Sequence, residues 1–328
     1  MTSDTPALHG QAERVLSHAK TIAILVLVQA IALFPFRFTG GMQERDSYRM
    51  LLGMLDGITR GTYFASPLLY NREVSFGYYA LIYGLSSLFG NSPAALVAIM
   101  NAISFAAAVL FVIPFYLVVE ELFDRYTAIA ACTLLAVVPV WWNVALYGHP
   151  IMPAMLLLFS AMAVLARQRS TITPLHIRWL VVFTLGLALT FRFDVTLLFP
   201  ALAAVIWHRT PRIRAAAITF AFYSIGAILF FKLAQLALPA VKNGPPPESI
   251  LALLQRFENL GQVSGNVKEA IREAIIFMGE GFTPLLVMLA IPAFLIVICR
   301  RNVAQILFVC VPILLTAIHS KHRIAPQL

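Results

Sequence analysis

Charge is what this chain has least of. Asp, Glu, Lys and Arg make up only 12% of its 328 residues, against roughly 25% in soluble domains. That scarcity excludes an ordinary soluble globular protein. Cysteine is equally sparse: Cys132, Cys299 and Cys310 all fall inside apolar runs, with no CxxC pair. A disulfide framework is excluded, and the three read as small packing residues. No HExxH, P-loop, GxSxG or DxD occurs, so the signatures of zinc proteases, nucleotide hydrolases and serine hydrolases are missing. No cofactor and no metal site is expected. Internal repeats, low-complexity tracts and basic stripes with interleaved aromatics are also absent, so the formal charge of +9 does not point to nucleic acid.

Apolar residues fill the space. They make up 60% of the chain, mean hydropathy is +0.83, and several runs approach the ~17–25 residues that cross a bilayer as a helix. The fold class expected is all-α: one polytopic membrane domain over residues 1–328, with about nine transmembrane helices. Spans are placed at 21–36, 94–119, 127–147, 151–166, 215–238, 284–299 and 303–318. The pieces 179–191 and 195–207 are either one long helix with a charged middle or two short helices joined by a turn. The segment 76–89 is short and is read as dipping into the membrane. Arg14 and Lys20 precede the first span without a cleavage site after it, which reads as an uncleaved first helix with its N-terminus in the cytoplasm.

Lys and Arg decide the parity. With 76–89 as a dip and a hairpin at 192–194, the assigned inner segments hold eleven Lys/Arg against five Asp/Glu, while the two long outer loops, 40–75 and 239–283, hold eight against nine. That is the asymmetry of a positive-inside topology. Both loops carry helical patterns. Tyr48, Leu51, Leu52, Leu55 and Ile58 form a stripe suited to a helix lying at the interface. Further stripes run over 250–260 and 267–278, the latter opened by an Asn266/Glu269 capping box. These helices would cover a site or rest on the bilayer.

At this point the chain resembles the GT-C superfamily of membrane glycosyltransferases, in particular its protein O-mannosyltransferase and aminoarabinose-transferase branches. The resemblance rests on Arg45-Asp46-Ser47-Tyr48 with Gly61, on Phe76-Gly77-Tyr78-Tyr79 with Leu88-Phe89-Gly90, on Glu121-Leu122-Phe123-Asp124-Arg125 with Val138-Pro139, and on Leu189-Thr190-Phe191-Arg192-Phe193-Asp194 with Leu197 to Pro200. It covers about residues 23–208. The resemblance implies an inverting transfer of a sugar from a polyprenyl-phosphate donor to a lipid, glycan or protein acceptor, on the extracytoplasmic face of what is expected to be a bacterial cytoplasmic membrane. Two departures stand out. Ser47 occupies the place of a second acidic residue, and His149 the place of an acidic residue in the outer turn after the third span. His322-Arg323-Ile324-Ala325-Pro326 resembles a motif that relatives follow with more helices or a soluble domain, so a truncated chain is an expectation as well.

Each candidate residue has a structural alternative. Asp46 suits a general base for the acceptor hydroxyl, its pKa raised by desolvation near lipid; otherwise it caps the helix that follows. Glu44 is a second acid, on the same side as Asp46 only in an extended segment. Arg192 falls between two short helices, recessed from the surface, where it can hold the lipid phosphate bidentately; otherwise it pairs with Asp194 at a turn. Lys232 is a second phosphate contact or a snorkelling lysine. His149 is a site residue or an ordinary loop residue. Tyr48, Tyr78 and Tyr79 read as interfacial aromatics before sugar platforms. A transporter or flippase of a lipid-linked solute, and a non-catalytic remnant, are the competing classes.

Overall fold

In lipid no water pairs with backbone N–H and C=O groups, so an apolar chain satisfies them internally as helices. The computed structural model describes residues 5–35, 45–69, 72–146, 148–168, 173–210, 212–238, 295–299 and 302–310, and every regular element among them is helical. In order they are α1 (Thr5–Leu33), α2 (Arg45–Thr59), a 3-10 turn (Tyr63–Ala65), α3 (Arg72–Phe89), α4 (Pro93–Leu122), α5 (Arg125–Leu135), α6 (Pro139–Leu146), α7 (Ile151–Arg167), α8 (Leu175–Phe191), a second 3-10 turn (Phe193–Leu198), α9 (Phe199–Arg209) and α10 (Ile213–Ala237). The expected loop 239–283, the span at 284–299 except its last five residues, the second half of the span at 303–318, and the 322–326 motif lie outside the described residues.

Among the described residues three helices are long and apolar enough to cross a membrane by themselves: Leu16–Leu33 of α1, α4 and α10. Ile24, Leu27 and Ile31 on α1, and Ile218, Ile225, Leu229 and Leu233 on α10, are exposed. Such continuous apolar faces suit lipid, not water. The chain is an all-α integral membrane protein.

The bundle has two distinct ends. At one, the adjacent Glu120 and Glu121 of α4 gather the tips of the other helices. Arg167 of α7 and His18 of α1 pair with Glu120, and Arg209 and His208 of α9 with Glu121. Arg125, opening α5, donates to Ser17 and Thr21 of α1 at 3.0 and 2.8 Å. At the other end, Tyr78 of α3 donates to the Gly148 carbonyl at 2.6 Å, and Ser104 of α4 donates to the His149 carbonyl at 3.2 Å. Ser104 and Glu120 are sixteen residues apart on one helix, about 24 Å at 1.5 Å per residue. α7, with its N-terminus at the His149 end and Arg167 at the Glu120 end, runs antiparallel to α4.

The chain around Arg192 is a hairpin. α8 and α10 run parallel: Val182 lies against Gly226, Gly186 against Phe230, and Phe193 packs on Phe231 at 5.2 Å. The two glycines receive each other's bulky neighbours, the small-residue packing that lets membrane helices approach closely. α9 therefore returns between them, and residues 192–198 turn at the His149 end. α3 does not traverse. Its Phe76 packs on Phe231 and its Tyr78 reaches Gly148, while its far end leads through Gly90 into α4, whose Met100 borders Gly148. Both ends of α3 thus sit at the His149 end.

Two local expectations are corrected. The single span at 127–147 is two helices. α5 ends in a turn at 136–138, where Val137 and Val138 donate to Leu134 and Leu135 three residues back, and α6 begins at Pro139. Proline lacks the N–H for an i−4 bond and crowds the preceding turn, which favours a break here, although α4 runs on through Pro114. α2 is amphipathic, and Leu51, Leu55 and Ile58 of the expected stripe do pack on the core, but Tyr48 and Leu52 do not. Met50, Leu51 and Met54 are buried, while Tyr48 is 51% exposed and Leu52 is exposed too. Gly53 and Gly57 decide this. A Cβ at either would fall 2.6 Å from the carbonyl oxygen of Leu68 or Tyr63, so the bare glycine face takes the 63–69 segment directly against the helix backbone.

The geometry predicts sidedness. With the native cysteines replaced, Asn91→Cys and Gln168→Cys will be labelled by an impermeant thiol reagent from opposite faces of sealed vesicles. Labelling of both from one face would contradict this arrangement of α3 and α4.

Candidate active site

α8 ends at Phe191 because Arg192 turns to an extended conformation (φ −159°, ψ 115°) while its N–H still bonds the Ala188 carbonyl at 3.0 Å. The break leaves Arg192 only 6% exposed. Its Nε and Nη2 both donate to Oδ2 of Asp194, at 3.0 and 2.8 Å. The Arg–Asp pair anticipated as a structural alternative is therefore present. It is not the whole arrangement, because Nη1 lies 3.0 Å from Nε2 of His149, 43 positions away. Arg192, Asp194 and His149, read separately in the sequence, form one cluster.

The turn carrying His149 is held from three sides. Gly148 has φ +63°, and a Cβ there would stand 2.8 Å from that of Met100, so glycine is required both for conformation and for space. Tyr78 and Ser104 hold the carbonyls of residues 148 and 149. The His149 ring accepts from the Ile151 N–H through Nδ1 at 3.2 Å, which fixes it over the first turn of α7. α3 comes close enough to supply Tyr78 because Gly77 meets Thr190; a Cβ at 77 would lie 2.8 Å from that of Thr190. Tyr78 and Tyr79 are fully buried, which corrects the expectation of interfacial aromatics. A bonded tyrosine hydroxyl is as content in a core as at a headgroup, and an apolar run does not reveal its partner.

Lys232 follows Phe231, whose ring packs on Phe76 and Phe193, so it stands at this same end of the bundle. Its Nζ donates to Gln235 one turn further along α10, at 2.9 Å. Asp46 occupies the first turn of α2, but its side chain lies outside the described residues, as does Glu44 entirely. Among the described residues no three His, Cys, Asp or Glu side chains gather as a metal site.

A further constellation went unread in the sequence. Asp56 on α2 accepts from Ser66 Oγ at 2.7 Å and from Arg60 Nε at 2.6 Å. The Asp56/Arg60 spacing is a legible helical ion pair; Ser66, ten positions on, gave no signal. Beside it Tyr63, a non-glycine residue at φ +43°, sets its ring edge-on to Tyr83 at 5.3 Å, backbone strain of the kind that the surrounding contacts must hold in place.

No family model matches the chain, and no curated protein does either. Among solved structures it is similar to the oligosaccharyltransferase of Archaeoglobus fulgidus, crystallised with zinc and sulfate, at 13% identity and a TM-score of 0.42 over 93% of this chain and 49% of that one. The chain thus spans about half of that protein's length. Likeness this loose assigns nothing, and the function proposed below is carried by this chain's own residues.

The Ser66 hydroxyl first, then Arg60, holds the Asp56 carboxyl below its ordinary range. A depressed carboxylate stabilises the fold above its unfolded pKa of about 3.9 and loses that contribution as pH falls through the folded value. Ser66→Ala should therefore move the Asp56 titration, followed by 13C NMR of the carboxyl, upward toward 3.9 and lower the melting temperature at pH 6 more than at pH 3. An unchanged titration would contradict the assignment.

Proposed function

We propose that this chain is an inverting glycosyltransferase of the GT-C type, taking a sugar from a polyprenyl-phosphate carrier and passing it to an acceptor hydroxyl at the His149 end of the bundle. The observation that carries the reading is the buried Arg192 guanidinium, held at a helix break at one end of an apolar bundle. A charge kept in such a place marks a functional site by default. Asp194 holds Nε and Nη2, the Nη1 side is what a phosphate would meet, and its position suits one delivered by a lipid whose tail lies along the exposed apolar face of α10.

The chemistry follows from the parts. The acceptor oxygen attacks the anomeric carbon from the face opposite the carrier, and the bond from that carbon to the phosphate oxygen breaks. The electron pair stays on the phosphate, where Arg192 stabilises the growing charge, with Lys232 as the second cation at that end. The acceptor's proton passes to the carboxylate of Asp46, with Glu44 beside it. Sidedness agrees with this reading. Arg125, Arg167 and Arg209 lie at the Glu120 end, which positive-inside asymmetry makes cytoplasmic, so the His149 end faces outward.

Transfer from radiolabelled polyprenyl-phosphate hexoses in membranes carrying the chain tests it. Arg192→Ala should cut transfer by about 10²–10³-fold, the scale of losing one transition-state donor, and Asp46→Asn should abolish it while leaving the protein inserted. Wild-type transfer by Arg192→Ala would remove Arg192 from the donor phosphate.

A further inference from the structure

We propose that the groove on α1 beside Arg125 binds an anionic phospholipid of the surrounding membrane, its phosphate held by Arg125 and Lys20 and one acyl chain laid along α1. The groove lies at the Glu120 end of the bundle, opposite Arg192 and apart from the site proposed for transfer. Nη2 of Arg125 donates to Ser17 Oγ at 3.0 Å and to Thr21 Oγ1 at 2.8 Å. Both acceptors are neutral. Among the described residues Nε and Nη1 have no bonded partner, and no carboxylate pairs with this guanidinium. Its neighbours at the same end differ: Arg167 has Glu120, and Arg209 has Glu121. The acids close to Arg125 are engaged elsewhere. Glu120 also takes His18 and the Tyr116 hydroxyl, Glu121 also takes His208, and Asp124 caps α5 by accepting from the N–H and hydroxyl of Thr127, both at 2.8 Å. A guanidinium has five N–H donors and keeps its charge, so Arg125 has acceptors here but no counter-charge.

The surroundings say what supplies one. Ser17 and Thr21, which anchor Arg125, also line a groove of about 390 Å³ together with Leu16, Lys20 and Ile24. Lys20 is exposed and stands one helical turn before Ile24, so a second cation flanks the groove. Beyond it Ile24, Leu27 and Ile31 are exposed on the same side of α1, at the spacing of one helix face. Lys20 to Ile31 rises about 16 Å at 1.5 Å per residue, which is half of a hydrocarbon core of about 30 Å, or one leaflet. Tyr126, next to Arg125, is exposed as well, an amphipathic ring suited to headgroup level. Two cations at the mouth and an apolar strip one leaflet deep match a phosphate ester that carries an acyl chain. A choline headgroup brings its own cation, which Arg125 and Lys20 repel, whereas an anionic headgroup brings none. A free phosphate or an acidic peptide would leave the apolar strip unused.

The test is fluorescence quenching of the full chain in phosphatidylcholine nanodiscs, with the native cysteines replaced. A bimane label at Leu27→Cys reads the strip, and one at Leu229→Cys on α10 is the reference. Phosphatidylglycerol carrying a doxyl group on its acyl chain is compared with doxyl phosphatidylcholine. At Leu27→Cys the anionic lipid should quench preferentially, by about fivefold for each of the two cations, the scale of one basic side chain near an anionic headgroup. Arg125→Gln and Lys20→Gln should each remove about fivefold, and Arg214→Gln, an exposed arginine at the same end, should remove nothing. Lys20 is exposed and makes no bond among the described residues, so its variant reads the site even where Arg125→Gln does not fold. No preference at Leu27→Cys in the otherwise unchanged chain overturns the proposal. Equal preference at Leu229→Cys, or an equal loss in Arg214→Gln, overturns it in favour of diffuse surface attraction. Loss of the preference in inorganic phosphate, but not in chloride of equal ionic strength, overturns the lipid as occupant.

Discussion

A guanidinium cannot lose its charge, and burying it among apolar helices is tolerable only if its donors are met. Arg192 is met by Asp194 on one side and by His149 on the other, and much of the local architecture follows from that requirement. α8 stops one residue before it. The 148–150 turn must reach it, which asks for a left-handed glycine at 148 pressed against Met100. α3 must come close enough to brace that turn through Tyr78, which asks for a bare glycine at 77 against Thr190. A single buried charge thereby ties four segments distant in sequence into one end of the bundle.

The opposite end is organised by charges that are partly exposed. Glu120 and Glu121 draw Arg167, His18, His208 and Arg209 to the tips of their helices. Exposed ion pairs of this kind contribute little to stability individually. Their value here is registry: each fixes how far one helix slides along α4. The two ends thus divide the labour. One sets the axial positions of the helices, and the other uses that frame to hold a desolvated charge.

The fold class was legible because it follows from composition: so little charge with so much apolar sequence leaves helices in lipid as the solution. Residue-level contacts were not legible in the same way. Pro139 marked the end of α5, yet the expected span ran through it, since length and hydropathy outweighed one imide. The stripe on α2 held at Leu51, Leu55 and Ile58 but missed Gly53 and Gly57, which let another backbone lie directly on the helix. At the site, Arg192 and Asp194 were visible as charges inside an apolar run. His149 was visible as a candidate in an outer turn but not as a neighbour of Arg192, because that partner stands 43 positions away and nothing in the intervening sequence encodes the meeting. Asp46 and Glu44 remain assignments from motif likeness; the described side chains do not include them.

The measurement that bears most directly on the central claim is photocrosslinking with a polyprenyl phosphate that carries a diazirine on the isoprene nearest the phosphate, followed by peptide mapping of the intact protein in nanodiscs. The account predicts labelled peptides from 148–150, 190–195 and the end of α10, competed away by unlabelled lipid phosphate and lost in Arg192→Ala. Labelling concentrated around Glu120 and Glu121, or spread evenly over the apolar faces of α1 and α10 without competition, would contradict it.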